Sequence, residues 1–437
     1  MKVQQGNIIA IKGLIVTIQF DTKLPDISAV LQHSEITSIR FIVLAHTDIH
    51  TLKALNLAES YSVAIGQSVH LLDENLSVPV GPKSLGRVFN ALGETVDSGS
   101  SLEGIETIPT RNYQRTEVDF SLQQQKVIET GIKVIDFFAP FVQGRKTGII
   151  GGAGVGKTVL VTELMHNICK NDSGVSFFVG IGERIREAHE LYETLQKQDL
   201  LRNTTMYLGQ MNESAAMRSL AGLSAAAAAR WWRDKEKKDV LFFVDNIYRY
   251  LQAGNELSTM LGETASEGGY QPTMFTDLAK FQEGLDSNAN ASITSVESIY
   301  IPADDISDPA VVEIYQQLDS VIVLSRDIME RGILPAVDLT ATSSSLLTPE
   351  IVGERHYLLV SQVQQIMEKY NSLKGIIAII GESELSLKDR ADYQKAKRLI
   401  DYFTQSLFVT EALTGTEGQY VSRQDMLSGV EEIIAGS

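Results

Sequence analysis

Hydrophobic and polar positions change their rhythm twice along this chain. Between about residues 5 and 78 the apolar residues come in short alternating runs. Leu14, Val16, Ile18 and Phe20 face one way, and Ile15, Thr17 and Gln19 the other. Period-two alternation predicts strands with one buried face. Gly13 parts this run from Ile8-Ile9-Ala10-Ile11, which reads as a hairpin or sharp bend, and further runs lie at 41–44 and 63–65. Together they suit a small β-barrel or sandwich with no cluster of catalytic residues. Val78-Pro79-Val80-Gly81-Pro82 is a joint rich in turn formers, and the first domain boundary falls there.

Beyond the joint, strands at 175–181, 205–209, 240–245, 293–301 and 321–324 alternate with helical segments, notably 224–237. Near-continuous apolar runs such as Val240-Leu241-Phe242-Phe243-Val244 suit parallel strands covered on both faces, so a doubly wound α/β domain is expected. After Pro349 strand signals fade. Leu358, Leu359, Val363, Ile366, Met367 and Tyr370 repeat at helical spacing, followed by helices over 389–403 and 426–434. The expectation is a multidomain chain: a β-barrel over 1–78, a doubly wound α/β domain over 79–350 and an α-helical bundle over 351–437.

One stretch supplies the chemistry. From Gly151 to Thr158 the chain reads G-x-x-x-x-G-K-T: Gly151, Gly152, Ala153, Gly154, Val155, Gly156, Lys157 and Thr158. Ile149 and Ile150 precede it, and an apolar helical repeat follows from Val159. Strand, glycine loop and helix are the context of a phosphate-binding loop, whose backbone N–H groups and helix N-terminus favour anions. Lys157 would reach the terminal phosphates, and the Thr158 hydroxyl would sit on Mg²⁺. In an open parallel sheet ligands lie beyond the carboxyl ends of strands. There Gly182-Glu183-Arg184 ends one strand, and Asp245 ends another with Arg249 four residues on. Asp245 reads as a Mg²⁺ ligand or a helix N-cap, and Glu183 as a water-orienting carboxylate or a surface group. Glu187 lies one helical turn past Glu183. Arg184 and Arg249 read as phosphate clamps or solvent-facing ion pairs.

Composition narrows the partners. The 437 residues are 43% hydrophobic and 21% charged with a net charge of −17, which argues against a nucleic-acid groove. Cys169 is the one cysteine, so no intrachain disulfide is possible. No apolar run approaches the ~20 residues of a membrane span, and Met1 to Gly6 lack signal-peptide character. The expectation is an intracellular protein that meets membranes only through partners.

The string Gly151 to Val159 resembles the phosphate loop of the catalytic beta subunit of rotary F-type ATP synthases. The similarity runs collinearly through Glu129-Thr130-Gly131-Ile132-Lys133-Val134-Ile135-Asp136, Gly182-Glu183-Arg184, Gly209-Gln210-Met211-Asn212-Glu213 and Asp245-Asn246-Ile247-Tyr248-Arg249. It continues in Gly269-Tyr270-Gln271-Pro272-Thr273, Ser292-Ile293-Thr294-Ser295-Val296 and Pro302-Ala303-Asp304-Asp305. The resemblance implies ATP/ADP and Mg²⁺ as ligands. It also implies alternation with an alpha-type subunit that supplies an arginine finger, a central gamma-type shaft, and a peripheral place at the cytoplasmic face of the cell membrane. It assigns Lys157 and Arg184 to the terminal phosphates, Thr158 to Mg²⁺ and Glu183 to the attacking water. Glu187 and Asp245 would act through metal-bound water, and Arg249 would stabilise transferred phosphate.

The departures fall at the base pocket and the shaft. Three aromatic positions of the family's adenine pocket are Leu334, Leu407 and Leu413 here, which forgoes stacking of ~1–3 kcal/mol per ring. The loop before Gly269 reads Gly262-Glu263-Thr264-Ala265-Ser266-Glu267-Gly268, and the shaft-facing acidic segment, 381–389, has lost part of its charge. A beta-like subunit of a dedicated ATP-driven motor therefore stands as an alternative to a synthase. A homohexameric export ATPase is disfavoured because Ala341-Thr342-Ser343-Ser344-Ser345-Leu346-Leu347 contains no arginine. A non-catalytic ring subunit is disfavoured because Glu183 is not the glutamine of the related alpha subunits.

Overall fold

The computed structural model describes residues 4–58, 63–100, 102–110, 125–171, 174–266, 268–302, 305–382 and 385–436. Of the segments singled out from sequence, Glu267, Ala303, Asp304, Ser383 and Glu384 lie outside the described residues. The expected succession is borne out: an N-terminal closed barrel, a central α/β region and C-terminal helices. The chain divides into two compact units, residues 1–118 with 175–293, and residues 119–174 with 294–437.

In the first unit six strands close the barrel in the order β1-β2-β5-β4-β3-β6. They are β1 (Gln5–Lys12), β2 (Ile15–Phe20), β3 (Val30–His33), β4 (Arg40–His46), β5 (Thr51–Asn56) and β6 (Ser68–Asp73). Val16, Ile18 and Phe20 point into its core with Phe41, Leu52 and Val69, while Ile15 joins a second cluster with Leu55, Ala216 and Leu220. The alternation of β2 thus fills two cores from opposite faces of one strand. Gly13 turns the first hairpin with a φ of 60°. The run 63–65 is a correction, because it forms no strand. Gly66 has a φ of 91° and its N–H donates to the Ile8 carbonyl at 2.8 Å, so the segment is a turn leading into β6.

The α/β part of this unit has parallel strands in the order Val88–Asn90, Thr204–Gln210, Val175–Glu183 and Val240–Asp245. The last two are buried along their whole length, as their apolar runs require. The helix expected at 224–237 is longer at its start and spans Ala215–Asp234. The Ser214 hydroxyl caps it by accepting from the Met217 N–H, a local signal that the alanine run conceals.

The second unit orders Ser343–Ser344, Ser320–Val323, Lys146–Gly151 and Ile293–Tyr300. The last three are parallel neighbours, and the glycine loop leaves the carboxyl end of Lys146–Gly151. The helices Glu354–Ile380, Leu387–Phe403 and Arg423–Ala435 follow. The Glu129 to Asp136 motif is a structural clamp here. Asp136 is buried and accepts from the Thr130 N–H at 2.9 Å, the Thr130 hydroxyl at 2.8 Å and the Gly131 N–H at 2.9 Å. Gln405 bridges the same loop to the C-terminal segment, accepting from the Lys133 N–H at 2.9 Å and donating to the Gly131 carbonyl at 2.7 Å.

Candidate functional site

The residues singled out from sequence fall into two groups, one in each unit. In the second unit the glycine loop runs from the buried strand Lys146–Gly151 into the helix Lys157–Asn171. Gly154 and Gly156 have φ of 74° and 90°, and a Cβ on either would meet nothing within 4 Å. Glycine is needed there for its backbone conformation, and the open space beside it suits an anion close to the main chain. Gly151 is needed for packing, since a Cβ would lie 2.7 Å from Val155 Cγ2 and 3.1 Å from Leu324 Cβ. Gly152 is buried, whereas Ala153 and Gly154 form the exposed lip. Lys157 Nζ donates to the Gly151 carbonyl at 2.7 Å and also to that of Gly152. Thr158 and Val159 open the helix, where the Thr158 carbonyl accepts from the Thr162 hydroxyl at 2.8 Å.

Two residues missed from sequence join this loop. The Tyr300 ring lies 5.7 Å from Lys157 Nζ, and Arg326 Nη2 donates to the Ala153 carbonyl at 3.2 Å. Both follow or end strands neighbouring the loop's own, and that adjacency was the available signal. Leu334 and Leu407 come from distant segments that a backbone bond fastens together, Gln405 N–H to the Leu334 carbonyl at 2.8 Å. Leu334 is 37% exposed and Leu407 3%. The Leu413 side chain lies outside the described residues.

In the first unit Glu183 ends its strand just past a bulge at Gly182, whose φ is 67°. Arg249 Nη1 donates to Glu183 Oε1 at 2.9 Å and also to the Gly182 carbonyl. A side chain at Gly182 would press on this arginine, with a Cβ 2.9 Å from Arg249 Cδ. Glu183 is only 8% exposed. Burial foremost, then the Asp245 charge and a hydrogen bond with Glu187, push its carboxyl up to about 9, while the Arg249 guanidinium pulls the other way. The surface-carboxylate reading of Glu183 does not fit that burial. Asp245 is buried at its strand end, and Asn246 caps the next helix in its place, accepting from the Tyr248 N–H at 3.0 Å. Glu187 sits in the first turn of Ile185–Lys197. Arg184, its N-cap, is 65% exposed and 3.6 Å from the Glu187 carboxylate.

The cluster is acidic, with Glu183, Glu187 and Asp245 set against Arg249. Among the described residues no group of three or more His, Cys, Asp or Glu is arranged to chelate a metal directly. Two clefts of the first unit, of about 550 and 520 Å³, are lined by neither Glu183 nor Asp245.

Residues 131–345 match the model of the ATP synthase alpha/beta family, nucleotide-binding domain. The chain carries that family's nucleotide-binding domain. Residues 346–422 match the C-terminal domain of V and A type ATP synthase. Binding of ATP or ADP and assembly with other subunits of a rotary ATPase go with these domains. The second match is to the V and A type, whereas the sequence resemblance pointed to the F type.

Proposed function

We propose that the chain is the catalytic-type subunit of a rotary ATPase, interconverting ATP with ADP and phosphate. The observation that carries this is Glu183, a buried carboxylate fixed by Arg249 at 2.9 Å. Lys157 and the N–H groups of residues 151–159 bind the phosphates, and Arg184 reaches the terminal one from its exposed position. Glu183 orients the attacking water in line, and Arg249 both holds that carboxylate and stabilises the transferred phosphoryl group. Thr158, Glu187 and Asp245 are the residues that would hold Mg²⁺ arriving with the nucleotide, and its positive charge would act against that of the phosphates. Leu334, Leu407 and Leu413 bury the base without stacking it.

A partner of alpha type contributes the arginine finger that 341–347 lacks, and a central shaft transmits rotation. Among the described residues no helix is long and apolar enough to cross a membrane, and in this reading membrane contact is made by other subunits. The match over 346–422 favours a V/A-type build of the helical region over an F-type one. Purifying the chain with its associated subunits tests the reading. Magnesium-dependent ATP hydrolysis by the co-purified assembly supports it; a complex that neither binds nor cleaves ATP contradicts it. The identity of the co-purified subunits separates V/A-type from F-type and synthase from dedicated motor.

A further inference from the structure

Arg326 opens a short helix, Arg326–Glu330, just past the carboxyl end of the strand Ser320–Val323. Its Nη2 donates to the Ala153 carbonyl at 3.2 Å, on the exposed lip of the glycine loop. A peptide unit is planar and trans, so the Ala153 carbonyl and the Gly154 N–H point in opposite directions. A guanidinium holding one therefore sets the other. The constraint matters because Gly154 stands at a φ of 74° with nothing within 4 Å of a Cβ, a place where glycine has several conformations to choose from. The segment carrying Arg326 is itself well fixed. Leu324 N–H donates to the Ile150 carbonyl at 2.7 Å, and Ser325 N–H to that of Ala336 at 2.9 Å.

We propose that Arg326 is a positioning residue for phosphate binding: by gripping the Ala153 carbonyl it presents the Gly154 N–H to the phosphates of the nucleotide. The proposal rests on the nucleotide site proposed above. It concerns the phosphates alone and not the base, and this separates it from a role for the same segment through Leu334.

The test is equilibrium binding of ATP, GTP and inorganic tripolyphosphate to the assembled complex, for wild type, Arg326→Ala and Arg326→Lys, with thermal unfolding measured in ligand-free protein. Arg326→Ala weakens all three ligands alike, by about tenfold. It raises KM by the same factor and changes kcat less than about threefold. Arg326→Lys restores most of the affinity, because an ammonium also donates to a carbonyl. Should Arg326→Ala fail to fold, Arg326→Met and Arg326→Lys decide the matter, with loss expected in the first and not the second. Unchanged binding in a folded Arg326→Ala protein, or loss confined to nucleotides with tripolyphosphate unaffected, overturns the role of Arg326. Wild-type protein that binds none of the three overturns the nucleotide reading itself.

Discussion

The glycine loop and the Glu183 cluster are built by opposite means. The loop is made of main chain: left-handed glycines at 154 and 156, and carbonyls of residues 151–153 that engage Lys157 and Arg326. The cluster is made of side chains from the ends of separate strands, Glu183 and Asp245, with Arg249 and Glu187 from the helices that follow them. Backbone N–H groups hold phosphate oxygens whatever base the nucleotide carries, so the loop is suited to binding. Buried carboxylates respond to every nearby charge, so the cluster is suited to chemistry that waits for substrate. The difference predicts that binding and turnover are separable by mutation.

The largest separation on the binding side comes from Lys157→Met. Losing a charge-assisted contact to phosphate costs roughly 3–4 kcal/mol, so ATP affinity falls on the order of 10²- to 10³-fold by direct titration. Arg249→Ala cuts the other way. Turnover falls by about 10² as Glu183 loses its hold and the phosphoryl group a donor, while ATP affinity moves by less than about threefold. An affinity loss as large as the turnover loss would erase the distinction between the two regions.

His356 marks a third kind of region, buried and structural. Its Nε2 faces the Phe137 carbonyl at 2.9 Å and its Nδ1 faces Arg423 Nη2 at 3.2 Å, and burial lowers its pKa to about 4. The unfolded imidazole takes up a proton near its ordinary value of 6.5 and the folded one only near 4. Between these values the unfolded chain holds more protons, so stability is complete above the upper one and is lost as pH falls toward the lower. The slope is about 1.4 kcal/mol per pH unit, roughly 3 kcal/mol in all. Thermal midpoints measured across that range should fall more steeply for wild type than for His356→Gln. Acid loss of activity that persists in His356→Gln then belongs to the site and not to the fold.

The smallest effect concerns the base. Leu334 is 37% exposed, and its carbonyl accepts from the Gln405 N–H, so Leu334→Tyr adds a stacking ring at a position that is not buried. ATP affinity should rise by about fivefold to tenfold, from ~1 kcal/mol of stacking. No change in ATP binding would mean that the base lies elsewhere.

These two regions were not equally legible in the sequence. The glycine loop is spelled within eight residues, because N–H groups converge on a phosphate only when glycines, lysine and threonine follow one another on one strand-loop-helix connection. The period-two run of β2 was equally plain from Ile15 onward, since each residue's face is fixed by its neighbour, but Leu14, read with Val16, packs with Ile15 instead, ahead of the strand. Spacing alone leaves Glu183 between a surface group and a water-orienting carboxylate, because its burial and the grip of Arg249 depend on residues far apart in the chain. Arg326 and Tyr300 escape for the same reason: Tyr300 reaches the loop from the end of another strand and Arg326 from a helix just past one. The run 63–65 shows the converse failure, in which three apolar residues read as a strand are bent by the glycine that follows them.

The most direct test replaces Glu183 with Gln in the complex purified with its associated subunits and measures ATP binding beside single-turnover hydrolysis. The side chain keeps its shape and its place beside Arg249 but loses the carboxylate. Affinity within about threefold of wild type and hydrolysis slower by about 10²-fold or more is the predicted result. Hydrolysis at the wild-type rate would contradict the assignment of Glu183 to the attacking water.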